Sequence, residues 1–164
     1  MKGSTFLGYT LLLIIFTSCY SFKGTSIPTE VKTFTVLPFE NYANNSLPTL
    51  PQIFTEQLKD KILAGSRLNY SEEGDVSFKG EITQYRVTAI APTPGATASL
   101  NRLDIEVNVE YSCTPAPDQS WTSKFTRFAE FDSGQDLTSI QEELIDQINT
   151  ELVEDIFQKA FNNW

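Results

Sequence analysis

Between residues 102 and 113 apolar and polar positions alternate without a break. Leu103, Ile105, Val107, Val109, Tyr111 and Cys113 stand against Arg102, Asp104, Glu106, Asn108, Glu110 and Ser112. A period of two predicts a strand with one dry face and one wet face. Upstream, Val76, Phe78, Gly80 and Ile82 alternate with Ser77, Lys79, Glu81 and Thr83, and the strand continues through Tyr85 and Val87. From Ala89 the pattern breaks into IAPTPGATAS, whose prolines and glycine predict a surface loop up to Leu100. After a PAPDQS turn, Trp121 to Phe131 returns as a further strand, and VKTFTVLPF (Val31 to Phe39) reads as the first one.

Two segments repeat every three to four residues instead. In the first, Leu50, Phe54, Leu58 and Ile62 form a stripe that Ile53 and Leu63 widen, and Gly65 is its expected end. Thr49 and Gln52 have capping-box spacing. In the second, Ile140, Leu144, Ile148, Leu152, Ile156 and Ala160 recur from a second box at Thr138 and Gln141, predicting a helix to Phe161. Its other face carries Glu142, Glu143, Asp146, Glu151, Glu154 and Asp155 against Lys159 alone. Like charges at i, i+4 oppose a helix, so burial of the apolar stripe has to outweigh them. The order implies an α+β fold: a two-layer sandwich, mostly antiparallel, of four to five strands with two helices packed on one face. Arg67 to Tyr70 leaves the strand count open by one.

The N-terminus follows a different logic. Phe6 to Phe16 is apolar behind Met1 and Lys2, too short for a bilayer that needs about 20 residues. It ends at FTSC, which has the form of a lipoprotein cleavage site with Cys19 as the lipidated residue. Residues 1–18 are then the signal peptide, 19–30 a lipidated tether and 31–164 one α+β domain. Diacylglycerol and a fatty acid on Cys19 would be the only added groups, and several chains hold a protein on a membrane stably. Under an ordinary secretory cut, Cys19 and Cys113 would instead offer one possible disulfide. As the last member of a dry row, Cys113 reads as a buried apolar side chain.

Losing residues 1–18 removes Lys2 and takes the formal charge from −9 to −10. That balance argues against nucleic acid as a partner. Histidine is absent, which removes the commonest general base and metal ligand, and one thiol besides Cys19 cannot build a cysteine metal site. Phosphate-loop, dinucleotide and nucleophile-elbow motifs are absent too. Neither catalysis nor a cofactor is expected.

FTSC, VKTFTVLPFEN, PTLPQIFTEQLKDKIL, GEITQYRVT, NRLDIEVNVEY and the end from RFAEFDSGQDL to FNNW together resemble the Bacteroidetes lipopolysaccharide-assembly lipoproteins of the LptE type. The resemblance implies a lipid-anchored protein on the periplasmic face of the outer membrane. Such a protein plugs a large LptD-type β-barrel, helps it assemble, and in some members binds lipopolysaccharide. VLPFEN also resembles the opening strand of TolB-type and curli-secretion-type modules, which leaves a periplasmic adaptor as the alternative. An anionic lipid requires local positive charge. Residues 76 to 131 supply Lys79, Arg86, Arg102, Lys124 and Arg127 against six acids, and Arg86, Arg102, Lys124 and Arg127 are the candidate lipopolysaccharide contacts. The competing expectation is that these are solvated charges paired with Glu and Asp across strands.

Overall fold

The strand pair of residues 76–90 and 100–113 organises the molecule. A computed structural model describes residues 27–91 and 99–162; the signal segment, Cys19, the tether up to residue 26 and most of the proline-rich loop lie outside them. In chain order the elements are β1 (Thr33–Val36), β2 (Glu40–Asn41), α1 (Leu50–Gly65), β3 (Asn69–Tyr70), β4 (Val76–Ile90), β5 (Leu100–Cys113), a 3₁₀ turn (Pro117–Gln119), β6 (Trp121–Asp132) and α2 (Leu137–Phe161). The sheet order is β3-β1-β4-β5-β6, with β2 also on β4, and both helices pack on one face.

The fold is the expected α+β sandwich, but the sheet is mixed and has six strands. β4, β5 and β6 are antiparallel neighbours in chain order. β1 and β2 instead run parallel to β4, because α1 carries the chain back to the starting end before β4 begins. β1 and β2 form one interrupted strand: Leu37 N–H donates to Phe78 O and Tyr42 N–H to Ile82 O on either side of Pro38. β2 and β3 have two residues each, too few to show a period. β4 runs to Ile90 and β5 starts at Leu100, so Ala89, Ile90 and Leu100 belong to strands and the loop is shorter than its composition suggests.

A bulge changes the phase of β4. Ile82 pairs with Val107 but Gln84 pairs with Glu106, leaving Thr83 as the extra residue. Even-numbered Val76, Phe78 and Ile82 face the helices below it, and odd-numbered Tyr85 and Val87, opposite Ile105 and Leu103, do so above it. Two glycines let side chains cross. A Cβ on Gly80 would lie 2.8 Å from the Phe39 ring, and one on Gly65 would lie 2.7 Å from the Phe157 ring. Gly65 therefore does more than end α1, whose C-cap is Ser66; it lets α2 approach.

The helix starts differ from the capping-box reading. Thr49 occupies the N-cap of α1 but its side chain makes no cap bond, and Pro51 supplies the first-turn residue without a donor. At α2 the cap is Asp136, whose Oδ1 accepts from Thr138 N–H at 3.2 Å, so Thr138 lies inside the helix. The acidic face of α2 finds partners on other elements: Asp146 accepts from Gln57, Glu154 pairs with Lys61, and Asp155 and Glu151 pair with Arg127. Cys113 is buried, 2 % exposed, as its place in the dry row predicted.

Ile27 and Val31 are buried where the chain enters the domain, and Arg67 donates to Ile27 O at 3.1 Å. One carboxylate oxygen of Asp75, Oδ2, accepts from Lys32 N–H (2.8 Å), Thr33 N–H (2.9 Å) and Thr33 Oγ1 (2.9 Å), while Asp75 N–H donates to Thr33 Oγ1. The Lys32 amide foremost, with Thr33, holds the Asp75 carboxyl below its ordinary range. A lowered folded-state pKa contributes stability above the unfolded value, and that stability is lost as pH falls through the folded value. Asp75→Ala should therefore lower the urea midpoint at neutral pH and flatten its decline on acidification; a pH profile parallel to the wild type would contradict the clamp.

Candidate functional site

The sheet face away from the helices is a polar ladder. Across β4, β5 and β6 its rows are Lys79–Glu110–Thr122, Glu81–Asn108–Lys124, Gln84–Glu106–Thr126, Arg86–Asp104–Phe128 and Thr88–Arg102–Glu130. Opposite charges sit on neighbouring strands, which is the favourable arrangement for cross-strand pairs. Lys79 meets Glu110 at 3.0 Å and Lys124 meets Glu106 at 3.0 Å.

Three of the four candidate cations share this face. Arg86 is exposed and stands opposite Asp104. Arg102 approaches the same carboxylate from two residues along β5, with Nε 3.1 Å from Oδ1, and its guanidinium lies 4.8 Å from the Phe128 ring centroid. Asp104 is only 5 % exposed, although it belongs to the wet row. Phe128, at 48 % exposed, offers an apolar surface beside the two arginines. Lys124 is lower on the sheet and engaged with Glu106.

Arg127 is not with them. Its odd position on β6 points it to the helix side, where Nε and Nη2 donate to Asp155 at 2.6 and 2.7 Å and Glu151 lies 3.6 Å away. The two-pronged bond to Asp155, then its charge, raises the Arg127 pKa further. Its geometry is that of a clip between β6 and α2.

Glu106 is a centre that its sequence position does not reveal. Burial pushes its carboxyl up, but hydrogen bonds from Thr83 Oγ1 (2.7 Å), Lys124 and Thr126 outweigh that and leave it below the ordinary range. Thr83 is the bulge residue, so the kink in β4 is what turns its hydroxyl onto Glu106. Asn149 is also unsignalled: it is fully buried on α2, and its amide has no hydrogen-bond partner among the described residues. Its place among Ile145, Ile148, Leu152 and Val153 was the only available sign.

Among the described residues no group of three or more His, Cys, Asp or Glu side chains could hold a metal ion. No helix among them is long and apolar enough to cross a membrane. The face can pair with charges and accept an amphiphile against Phe128.

The chain matches the family model for lipopolysaccharide assembly, LptE, over residues 31–160. No curated protein sequence matches it. Several solved structures share the fold. A minor lipoprotein from Acinetobacter baumannii has a TM-score of 0.52 at 12 % identity, covering 79 % of this chain and 91 % of its own. A protein from Helicobacter pylori, described as a neuraminyllactose-binding hemagglutinin homologue, has a TM-score of 0.55 at 11 % identity, covering 85 % and 91 %. A protein from Xanthomonas campestris has a TM-score of 0.52 at 11 % identity, covering 82 % and 87 %.

The Arg127 clip is open to a direct check. Because its side chain is 43 % exposed, solvent screening limits it, and a double-mutant cycle of Arg127→Ala with Asp155→Ala should give a coupling of only about 0.5–1 kcal/mol. Additive effects of the two changes would show that the pair contributes nothing.

Proposed function

The chain belongs to the LptE family of lipopolysaccharide-assembly lipoproteins, and on that premise we propose that it plugs a β-barrel lipopolysaccharide translocon and assists its assembly. The family is outer-membrane-associated, non-enzymatic and tied to the lipopolysaccharide transport machinery. The observation that carries the proposal is the match over residues 31–160, which takes in every strand, α1 and all of α2 but its last residue. Two physical features support it. A wide barrel presents a polar interior, and the interleaved charges of the open sheet face suit a wet, polar wall. An acylated Cys19 on the periplasmic leaflet would raise the effective concentration of the domain at the barrel mouth.

The same face carries the second part of the proposal, direct contact with lipopolysaccharide. Arg86 and Arg102 flank the buried Asp104 carboxylate beside exposed Phe128, with Glu130 opposite Arg102, so a phosphate would compete with these carboxylates for the two guanidinium groups. Planar guanidinium groups suit a phosphorylated head group, and the ring suits acyl chain. Lys124 is the third contact on this face; Arg127 faces the helices and serves the packing.

Purification from detergent-solubilised outer membranes should recover one large β-barrel protein at equal stoichiometry. Recovery of soluble periplasmic proteins alone would favour an adaptor of the TolB or curli-secretion kind. For the lipid, Arg86→Gln, which sets no like charge opposite Asp104, should weaken lipopolysaccharide binding by about tenfold or more, since a hydrogen bond to a charged group is worth about 1.5–3 kcal/mol. Unchanged affinity would remove Arg86 from the site.

A further inference from the structure

Among the described residues the outer strand β6 has a free edge. All twelve of its residues pair in register with β5 from Leu100–Asp132 to Tyr111–Trp121 without a bulge, and the strand contains neither proline nor glycine. Ser133 N–H donates to Ser99 O directly opposite, which fixes the phase of the ladder. Odd-numbered residues of β6 therefore bond to β5, and the even-numbered ones aim N–H and C=O outward. Asp132 N–H is taken by Gln135, which leaves Thr122, Lys124, Thr126, Phe128 and Glu130 presenting open backbone groups among the described residues.

Proteins blunt such edges with short strands, bulges or prolines. The opposite edge is blunted: β3 has two residues, and β4 lies bare only beyond Ile82, where the bulge begins. β6 has none of these guards. A cleft of about 480 Å³ runs beside it, lined by Thr126 to Glu130 of the strand and by Gln147 and Glu151 of α2.

Charge selects the occupant. The helix wall is acidic, with Glu143 one turn before Gln147 and Glu151 one turn after, and Arg127 is already spent on Asp155 and Glu151. A second copy paired about a twofold axis at this edge would bring two such helices together, an unfavourable like-charge contact. We propose that β6 is the docking edge for an extended segment of a partner protein, added as a seventh strand, with Lys or Arg side chains on the side facing α2. Its other face lies in line with the row of Phe128, where an apolar or aromatic side chain gains a cross-strand neighbour. The source of the segment, the barrel protein, rests on the function proposed above; the required chemistry is set by the edge itself.

The test uses the full-length protein in detergent and a fluorescent peptide of about nine residues alternating lysine and threonine, long enough to cover most of the edge. This peptide should bind about tenfold tighter than its glutamate–threonine counterpart. It should also bind about tenfold tighter than a version N-methylated at alternate amides, which keeps the charge but cannot pair. Thr126→Pro removes an outward donor without breaking a bond to β5 and should cost a similar factor, whereas Thr126→Ala should not. Equal binding of the N-methylated peptide would overturn the proposal and needs no variant. Equal affinities of Thr126→Pro and Thr126→Ala would also overturn it, as would a dimer of the purified protein that Thr126→Pro dissociates. Loss of the barrel from the purification with peptide binding intact would count against the assembly reading alone.

Discussion

The dry face of the β4–β5 hairpin has to be kept from water, and the neighbouring elements are placed where they can do so. Phe78, Ile82, Leu103, Ile105, Val107 and Val109 are fully buried, and each such side chain contributes about 1.5–3 kcal/mol relative to exposure. Two strands cannot cover this face, so two amphipathic helices cross it. α2 carries repelling pairs, Glu142/Asp146 and Glu151/Asp155, each unfavourable by about 0.2–0.5 kcal/mol. Burial of Ile148, Leu152, Ile156 and Phe161 exceeds that several times over. Gln57, Lys61 and Arg127 then reduce what repulsion remains, and the same contacts fix α2 against α1 and β6.

Long periodic segments were legible in the sequence, and short or tertiary features were not. β5 announced itself because each of its dry positions meets the same core, and both helices did because their stripes run for several turns. β2 and β3 had no period to show, and the parallel direction of β1 depends on where α1 returns the chain. The bulge at Thr83 was present in the residues as a change of phase, even-numbered through Ile82 and odd-numbered from Tyr85. Among the candidate contacts, parity separates Lys124 from Arg127: three residues apart on one strand, they must face opposite sides. The burial of Asp104 and the bonds to Glu106 come from side chains on three strands meeting, which a single strand's pattern does not contain.

In the proposed function the polar face serves recognition and the edge serves attachment. On the face, acids and bases alternate so closely that four of the five rows are neutral, and the one that is not, Gln84–Glu106–Thr126, is met by Lys124 of the next row. An edge strand reads backbone geometry and tolerates many sequences, so it suits a contact that must hold while a large partner folds.

The place where the chain enters has a mechanical meaning. The described chain begins at Ile27, at the Val76 end of the sheet and opposite the end where Ile90 pairs with Leu100, and β1 lies between β3 and β4 with both neighbours parallel to it. Tension drawn through the N-terminus against resistance at the far end runs along the strand axes. It loads the β1 ladder and the Asp75 bonds together, in shear, so they must yield as a group; a perpendicular pull would unzip them singly.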